Sequence, residues 1–350
     1  MTSKYRLHRL SRTAHGWAGA ALSLILIVIS LTGSLLVFKG DYIRTVVPEA
    51  RQNADLSLSA LAAVTEKTEQ AFEAENLRAL VYATEDFGLH KAYLTDGRAA
   101  YLAGDGAVID VWEQNGRFED WLFDLHHRLL AGRIGALVAG FSGLAALILI
   151  VTGLMAVWPM RRGLKRGLKI SNSSRSQVLS VHRNLGVYAA LPLFLIILTG
   201  VILTFPKQSR AIFDAVGGPE ALDPSPFTPA KVDWLSALEQ SSQAFETAVP
   251  RMAIWGGSER PATLRLKQDQ EFHPNGRTLM VIDPGSSQIL NQQDALAMGL
   301  GREAYNAVYP IHAAHIGGRI YDVAVFLIGL ALSALGVLGL FAYVRRYIQT

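Results

Sequence analysis

The stretch Leu125–Trp158, LHHRLLAGRIGALVAGFSGLAALILIVTGLMAVW, sets the architecture of the chain. Two histidines open it, Gly132-Arg133-Ile134 follows, and no charged residue interrupts the run from Ile134 to Trp158. A helix needs about 20 apolar residues to cross a hydrocarbon core, so this run reads as a membrane span with His126 and His127 just before it. The pattern returns 186 positions later. His312 takes the place of His126, Gly318-Arg319-Ile320 that of Gly132-Arg133-Ile134, Gly329-Leu330 that of Gly143-Leu144, and Gly339-Leu340 that of Gly153-Leu154.

Working outward, the apolar runs Trp17–Phe38 and Val187–Phe205 are related by a shift of 167. That shift lays His182 on His15, Gly186 on Gly19, Leu198-Thr199-Gly200 on Leu31-Thr32-Gly33, and Phe205 on Phe38. With Tyr321–Tyr343 the spans number four. The expected fold is a mainly α membrane protein, a four-transmembrane-helix bundle from an internal duplication, each unit being span, α+β insert, span. The expected divisions are 1–40 (N-terminus and first span), 41–125 (first insert), 126–160 (second span), 161–181 (basic loop), 182–206 (third span), 207–311 (second insert) and 312–350 (fourth span and C-terminus). Within the inserts the patterns predict helices at 60–72 and 234–245. Strand-like runs fall at 80–83, 90–94, 99–112, 263–266 and 278–282.

Composition agrees with spans interleaved with water-soluble segments: 50% of residues are hydrophobic, 18% are charged, and the mean hydropathy is +0.24. The absence of cysteine excludes disulfides, thiolate-held iron–sulfur clusters, covalent c-type haem and Cys-based zinc sites. The net charge of +4 conceals clustering. Lys4, Arg6, Arg9 and Arg12 precede the first span, Arg161, Arg162, Lys165, Arg166, Lys169 and Arg175 fill the loop between spans two and three, and Arg345 and Arg346 follow span four. The positive-inside rule then places both termini and that loop in the cytoplasm and both inserts in the periplasm of a bacterial inner membrane. The basic loop suits anionic lipid headgroups. The first span is too long for a signal-peptide core and reads as uncleaved. No nucleic-acid partner is expected, and Gly299-Leu-Gly301-Arg-Glu-Ala304 lacks the preceding strand that a dinucleotide site needs.

Six of the nine histidines lie at or just before span starts: His15, His126, His127, His182, His312 and His315. Because consecutive spans run in opposite directions, they form two layers, with His15 and His182 near the cytoplasmic face and His126 and His312 near the periplasmic face. Two imidazoles facing each other at one depth can hold a metal ion or supply both axial ligands of a haem. The neighbours favour the flat ligand. Gly19 and Gly186 follow their histidines by four residues, on the same helix face, and leave room for a porphyrin. Gly33 and Gly200 follow by 18 residues, about 27 Å along the helix, at the depth of the other layer. Arg133 and Arg319 beside one layer, and Arg12 and Arg183 beside the other, suit haem propionates. The expectation is two haem b groups, one held by His15 and His182 and one by His126 and His312. His127 aligns with Ala313, and His315 with Leu129, so both are left for propionate or substrate contacts, and the choice between His312 and His315 stays open. His90 and His273 read as solvated surface residues, the Thr-Gly pairs as close helix packing, and Trp112 and Trp121 as interfacial anchors or lining of an acceptor site.

The His-bearing spans that end in Leu-Thr-Gly, the helix starts Leu125-His126-His127-Arg128 and Ile311-His312, and the segment Leu279–Leu290 with its Asp283-Pro284-Gly285 turn resemble the PepSY-associated transmembrane helix family. That family includes inner-membrane ferric-siderophore reductases. In the PepSY-like segment Ser287 stands where a glycine is usual. The resemblance implies periplasmic PepSY modules, bis-histidine haem, and reduction of a ferric siderophore. Electrons would come from a cytosolic reductase or a quinol. Regulatory proteins with PepSY modules, and quinol-linked oxidoreductases with another acceptor, are the competing readings.

Overall fold

The computed structural model describes residues 3–158, 168, 174–218 and 226–348, with side chains described from His8 to Arg346 within those ranges. The basic-loop residues Arg161, Arg162, Lys165, Arg166 and Lys169 lie outside them. The first half of the chain forms α1 (Ser3–Leu36), α2 (Lys39–Val46), α3 (Leu58–Phe72), β1 (Leu77–Val81), β2 (His90–Leu94), β3 (Ala99–Leu102), β4 (Val108–Trp112), α4 (Phe118–Arg128) and α5 (Gly132–Val157). The second half forms α6 (Arg175–Thr204), α7 (Pro206–Asp214), α8 (Trp234–Ala244), β5 (Val249–Ile254), β6 (Ala262–Lys267), β7 (Thr278–Ile282), β8 (Ile289–Gln293), α9 (Leu300–His312) and α10 (Gly318–Ile348). These elements gather into two compact units. One comprises Met1–Phe38, Trp121–Ser209 and Ile311–Thr350; the other comprises Lys39–Asp120 and Arg210–Pro310.

In the first unit α1, α5, α6 and α10 are long and apolar enough to cross a membrane. Each is apolar all round, as a helix is when lipid replaces water on its outer face. Outward residues such as Ile134 (74% exposed), Leu191 (70%) and Ile320 (87%) are side chains that water would not tolerate in such a band. Round the bundle α1 neighbours α5 and α10, and α6 neighbours α5 and α10, leaving α1 opposite α6. Small residues set the spacing: a methyl on Gly329 would fall 2.1 Å from Oγ of Ser34, and Ser30 and Ser333 share a hydrogen bond of 2.7 Å across the α1–α10 seam. The helices outrun their apolar cores, so His15 and His182 lie inside α1 and α6 rather than ahead of them. His126 lies in the last turn of the separate helix α4, and His312 ends the separate helix α9. Left-handed residues make those breaks: Leu129 and Leu130 before α5 with Gly132 at its start, and Ala314 and Gly317 before α10 with Gly318 at its start.

The second unit is built on one antiparallel eight-stranded sheet in the order β4-β3-β2-β1-β5-β6-β7-β8. The segments read as two inserts share this sheet through β1 and β5, with Leu80 opposite Ala253. Ser57 and Asp233 cap α3 and α8 by accepting from the backbone N–H groups of Ala60 and Ser236. Both helices turn apolar stripes onto the same sheet face, where Leu61, Leu80, Leu102, Trp234, Leu238, Leu264 and Met280 form the core. Glu69 of α3 ties the two halves there. Its Oε1 accepts from the indole of Trp234 at 2.7 Å and from that of Trp255 at 2.9 Å. On the other face Ile43, Val47, Tyr101 and Trp112 make a smaller cluster. The run read as one strand over 99–112 is the hairpin β3–β4, turning at Asp105-Gly106, and β5 and β8 lie outside the strand-like runs at 263–266 and 278–282.

Candidate functional site

His15 and His182 approach across the bundle with ring centres 6.1 Å apart, and His126 and His312 do so at 6.2 Å. The first pair comes from the opposed helices α1 and α6. The second comes from α4 and α9, each positioned by the break before the following span. Each imidazole is held by a third element. Nδ1 of His15 meets the carbonyl of Leu149 at 3.1 Å, that of His126 meets Ile29 at 2.8 Å, that of His182 meets Leu335 at 3.1 Å, and that of His312 meets Ile196 at 3.0 Å.

A carbonyl only accepts, so each Nδ1 must carry the proton and donate it. In the neutral imidazole this leaves Nε2 with a free lone pair, the form that binds a metal.

One local device builds all four sockets. The accepting carbonyl lies four residues before a glycine: Leu149 before Gly153, Ile29 before Gly33, Leu335 before Gly339, and Ile196 before Gly200. In an α-helix these two positions share a face, so the missing side chain opens the way for the incoming ring. A methyl at Gly33 would fall 2.7 Å from Cε1 of His126, at Gly200 2.9 Å from that of His312, at Gly153 3.0 Å from that of His15, and at Gly339 3.3 Å from that of His182. In three sockets a threonine precedes the glycine. Thr32, Thr152 and Thr199 approach Nδ1 of His126, His15 and His312 at 3.4, 3.3 and 3.2 Å. The Thr-Gly pairs read as helix packing are thus sockets for histidine, and Gly153 and Gly339 were missed as site residues although the 186-residue shift had aligned them.

Gly19 and Gly186 do the other part. Their nearest neighbours are Leu149 and Leu335 methyls at 4.0 and 3.7 Å, and both line a cavity of about 1340 Å³ beside His15 and His182. Arg9, Arg12, Arg175, Arg183 and Arg346 also line it. Arg183 leans on Asn184 and Ser180, and Arg175 donates to the carbonyl of Ala342. Arg133 and Arg319 are exposed in the first turns of α5 and α10. Arg319 pairs with Asp322 at 3.6 Å and lies 5.8 Å over the Phe38 ring.

His127 stacks on Phe123 at 5.4 Å with Nδ1 buried, and His315 is exposed between α9 and α10; it is His312 that faces His126. His90 and His273, expected at the surface, are both buried, because each sits where a strand or turn presses it into the second unit. His90 accepts from the backbone N–H of Ala83, and burial pushes its imidazole down to about 4 against the opposing pull of the Gly104 backbone. Trp112 is likewise buried, donating to Asp120 at 2.7 Å, while Trp121 stays exposed.

Two-donor sites of this kind fit one class of group. Among the described residues no cluster of three or more His, Asp or Glu could hold a bare metal ion, so a metal held by either pair would have to bring its remaining ligands with it. First-row metals bind imidazole nitrogen at about 2.0–2.1 Å. Two such bonds, plus about 1 Å from each nitrogen to its ring centre, span about 6 Å, matching both pairs. The donor set and the glycine-lined cavity therefore fit a haem.

The fold and these pairs define a four-span membrane protein with paired histidines in its core. The family model described as PepSY-associated TM region matches residues 12–346, and the chain belongs to that family. No curated protein matches the chain.

Proposed function

We propose that the chain carries electrons across a bacterial inner membrane through two b-type haems and delivers them to a ferric siderophore. One haem would be held by His15 and His182 and the other by His126 and His312. The observation that carries this reading is the pair of ring separations, 6.1 and 6.2 Å, with every Nδ1 committed to a backbone carbonyl. A haem with two imidazole ligands has no open coordination position and exchanges single electrons.

The protein's own part is to fix each imidazole in one tautomer, to keep Nε2 unprotonated, and to exclude competing donors. Arg12 and Arg183 supply positive charge for propionates at one cavity. The lysine and arginine bias would put the termini and His15/His182 on the cytoplasmic side and residues 41–125 and 207–311 in the periplasm. The symmetric strand order about β1 and β5 supports an internal duplication, with one PepSY-like module from each half. A cytosolic reductase or a quinol is the electron donor. The acceptor is substrate: Fe(III) gains one electron, becomes Fe(II), and is held less well by hard oxygen donors.

The deciding experiment is a pyridine haemochrome assay with oxidised and reduced spectra of the purified protein. Two low-spin haems per chain are expected. One haem or none would remove this reading, and a protein with no Soret band would favour a regulatory PepSY protein.

A further inference from the structure

Three arginines of the extramembrane unit crowd one another. Arg265 is on β6, Arg277 immediately precedes β7, and Arg210 belongs to α7. The register sets Arg265 opposite Leu279, two residues beyond Arg277, so the two side chains share the sheet face that α3 and α8 do not cover. The Nε groups of Arg265 and Arg277 are buried and meet no acceptor among the described residues. Burial and the neighbouring guanidiniums push Arg277 down to about 10 and lower Arg265 as well.

The nearby carboxylate does not answer this charge with its oxygens. Glu271 accepts from the backbone of Gln268 and of Arg277 and from the hydroxyl of Thr278. A fourth arginine, Arg302, shows what a satisfied guanidinium looks like here, forming two bonds to Asp214 at 3.0 and 2.5 Å. Aromatic rings complete the spot. Arg277 donates to Nε2 of His273 at 2.8 Å, His273 stacks on Tyr309 at 5.1 Å, and Arg210 lies 5.5 Å over Tyr305.

Partly buried guanidiniums with unused donors lack an anion, and their planar forks suit carboxylate or catecholate oxygens. We infer that Arg265, Arg277 and Arg210 form an oxyanion site, and that the iron chelate bound there is an anionic one, carrying carboxylate or catecholate groups, rather than a neutral or cationic hydroxamate. This rests on the ferric-chelate reading above and specifies its substrate class.

The test uses the full-length protein in detergent and redox-inert gallium(III) complexes, so that binding is read without electron transfer or haem. Gallium(III) tris-catecholate, a trianion, should bind at least ten-fold more tightly than an uncharged gallium(III) trihydroxamate. Arg265→Gln and Arg277→Gln should each weaken the trianion at least ten-fold and leave the trihydroxamate unchanged. An unchanged thermal unfolding midpoint by tryptophan fluorescence would show that the variants fold, and the lysine variants should recover part of the affinity. Equal affinity for the two complexes, or a trianion indifferent to both glutamine substitutions, would overturn the inference even with both haems present. Phosphatidylglycerol vesicles that displace the trianion, and no longer bind in Arg277→Gln, would reassign the site to lipid headgroups and overturn it too.

Discussion

Nδ1 of His126 lies 2.8 Å from the carbonyl of Ile29, one helical turn before Gly33, whose missing side chain makes room for the same ring. The relation is exchanged within each half of the bundle: α1 sends His15 to α5 and receives His126, and α6 sends His182 to α10 and receives His312. The histidine pairs then form between halves, so each histidine couples three helices.

The two layers should fail separately. His15→Ala or His182→Ala should lose one haem and stop electron entry while the other haem remains. His126→Ala or His312→Ala should keep a reducible haem but abolish reduction of a periplasmic ferric chelate. His127→Ala and His315→Ala should retain both. Haem content and reduced spectra of the six variants check this; a loss in His315→Ala with His312→Ala intact would move the ligand by three residues, about one helical turn.

Gly33→Ala places a methyl 2.7 Å from Cε1 of His126, too close without movement of the ring. Overpacking of this kind costs about 1–3 kcal/mol. The expected result is a shifted midpoint potential for one haem and none for the other, and Gly33→Leu should leave one haem per chain. The same substitutions at Gly339, where the methyl has 3.3 Å, should do less. Redox titration of the two haems separates these outcomes.

How much of this was legible in the sequence depends on which periodicity carried it. Spans, repeated motifs and the six membrane-proximal histidines stand out because lipid demands long apolar runs and the 167- and 186-residue shifts mark matched positions. The sockets did not stand out, since a glycine facing a ring on another helix looks the same in sequence as one in a packing seam. The shared sheet was hidden for a related reason. Strands β1 and β5 are short, and their pairing joins Val81 to Met252, a separation no local pattern records. His90 and His273 look like surface residues because they lie in water-soluble segments, and only the tertiary fold buries them.

His90 predicts a pH dependence. Its folded pKa, about 4, lies below the ordinary 6.5, so its contribution is intact above 6.5. As pH falls from 6.5 towards 4 the unfolded chain takes up a proton that the folded chain does not, and stability drops by about 3 kcal/mol. His90→Gln keeps an acceptor for the Ala83 N–H and should flatten this component. Urea unfolding of the solubilised protein at pH 7 and pH 4.5 provides the comparison, and parallel losses in both proteins would reject it.

Glu69→Leu leaves the buried indole N–H of Trp234 without an acceptor, at about 1–3 kcal/mol, and the half-buried one of Trp255 without an acceptor at a smaller cost. Glu69→Gln keeps a carbonyl oxygen and should cost far less. Thermal unfolding followed by tryptophan fluorescence reads both, because Trp234 and Trp255 are the affected rings.

Ser287 sits at φ 56°, in the left-handed region, with Oγ accepting from the backbone of Asp233 at 3.0 Å. Ser287→Gly relieves about 1–2 kcal/mol of backbone strain and loses a hydrogen bond worth about 1 kcal/mol, so it should be nearly neutral. Ser287→Ala keeps the strain and loses the bond, and should lower the melting temperature.

The β1–β5 pairing also sets a schedule for biosynthesis. Val81 ends β1 and Val249 begins β5, 168 residues later. At roughly 5–20 residues per second the ribosome needs about 8–34 s to supply the partner. During that interval β1 is the open edge of a half-finished sheet, able to pair with another nascent chain. Nascent chains of this protein therefore pass through a stage in which a chaperone that shields strand edges would raise the yield, and crowding of identical nascent chains would lower it.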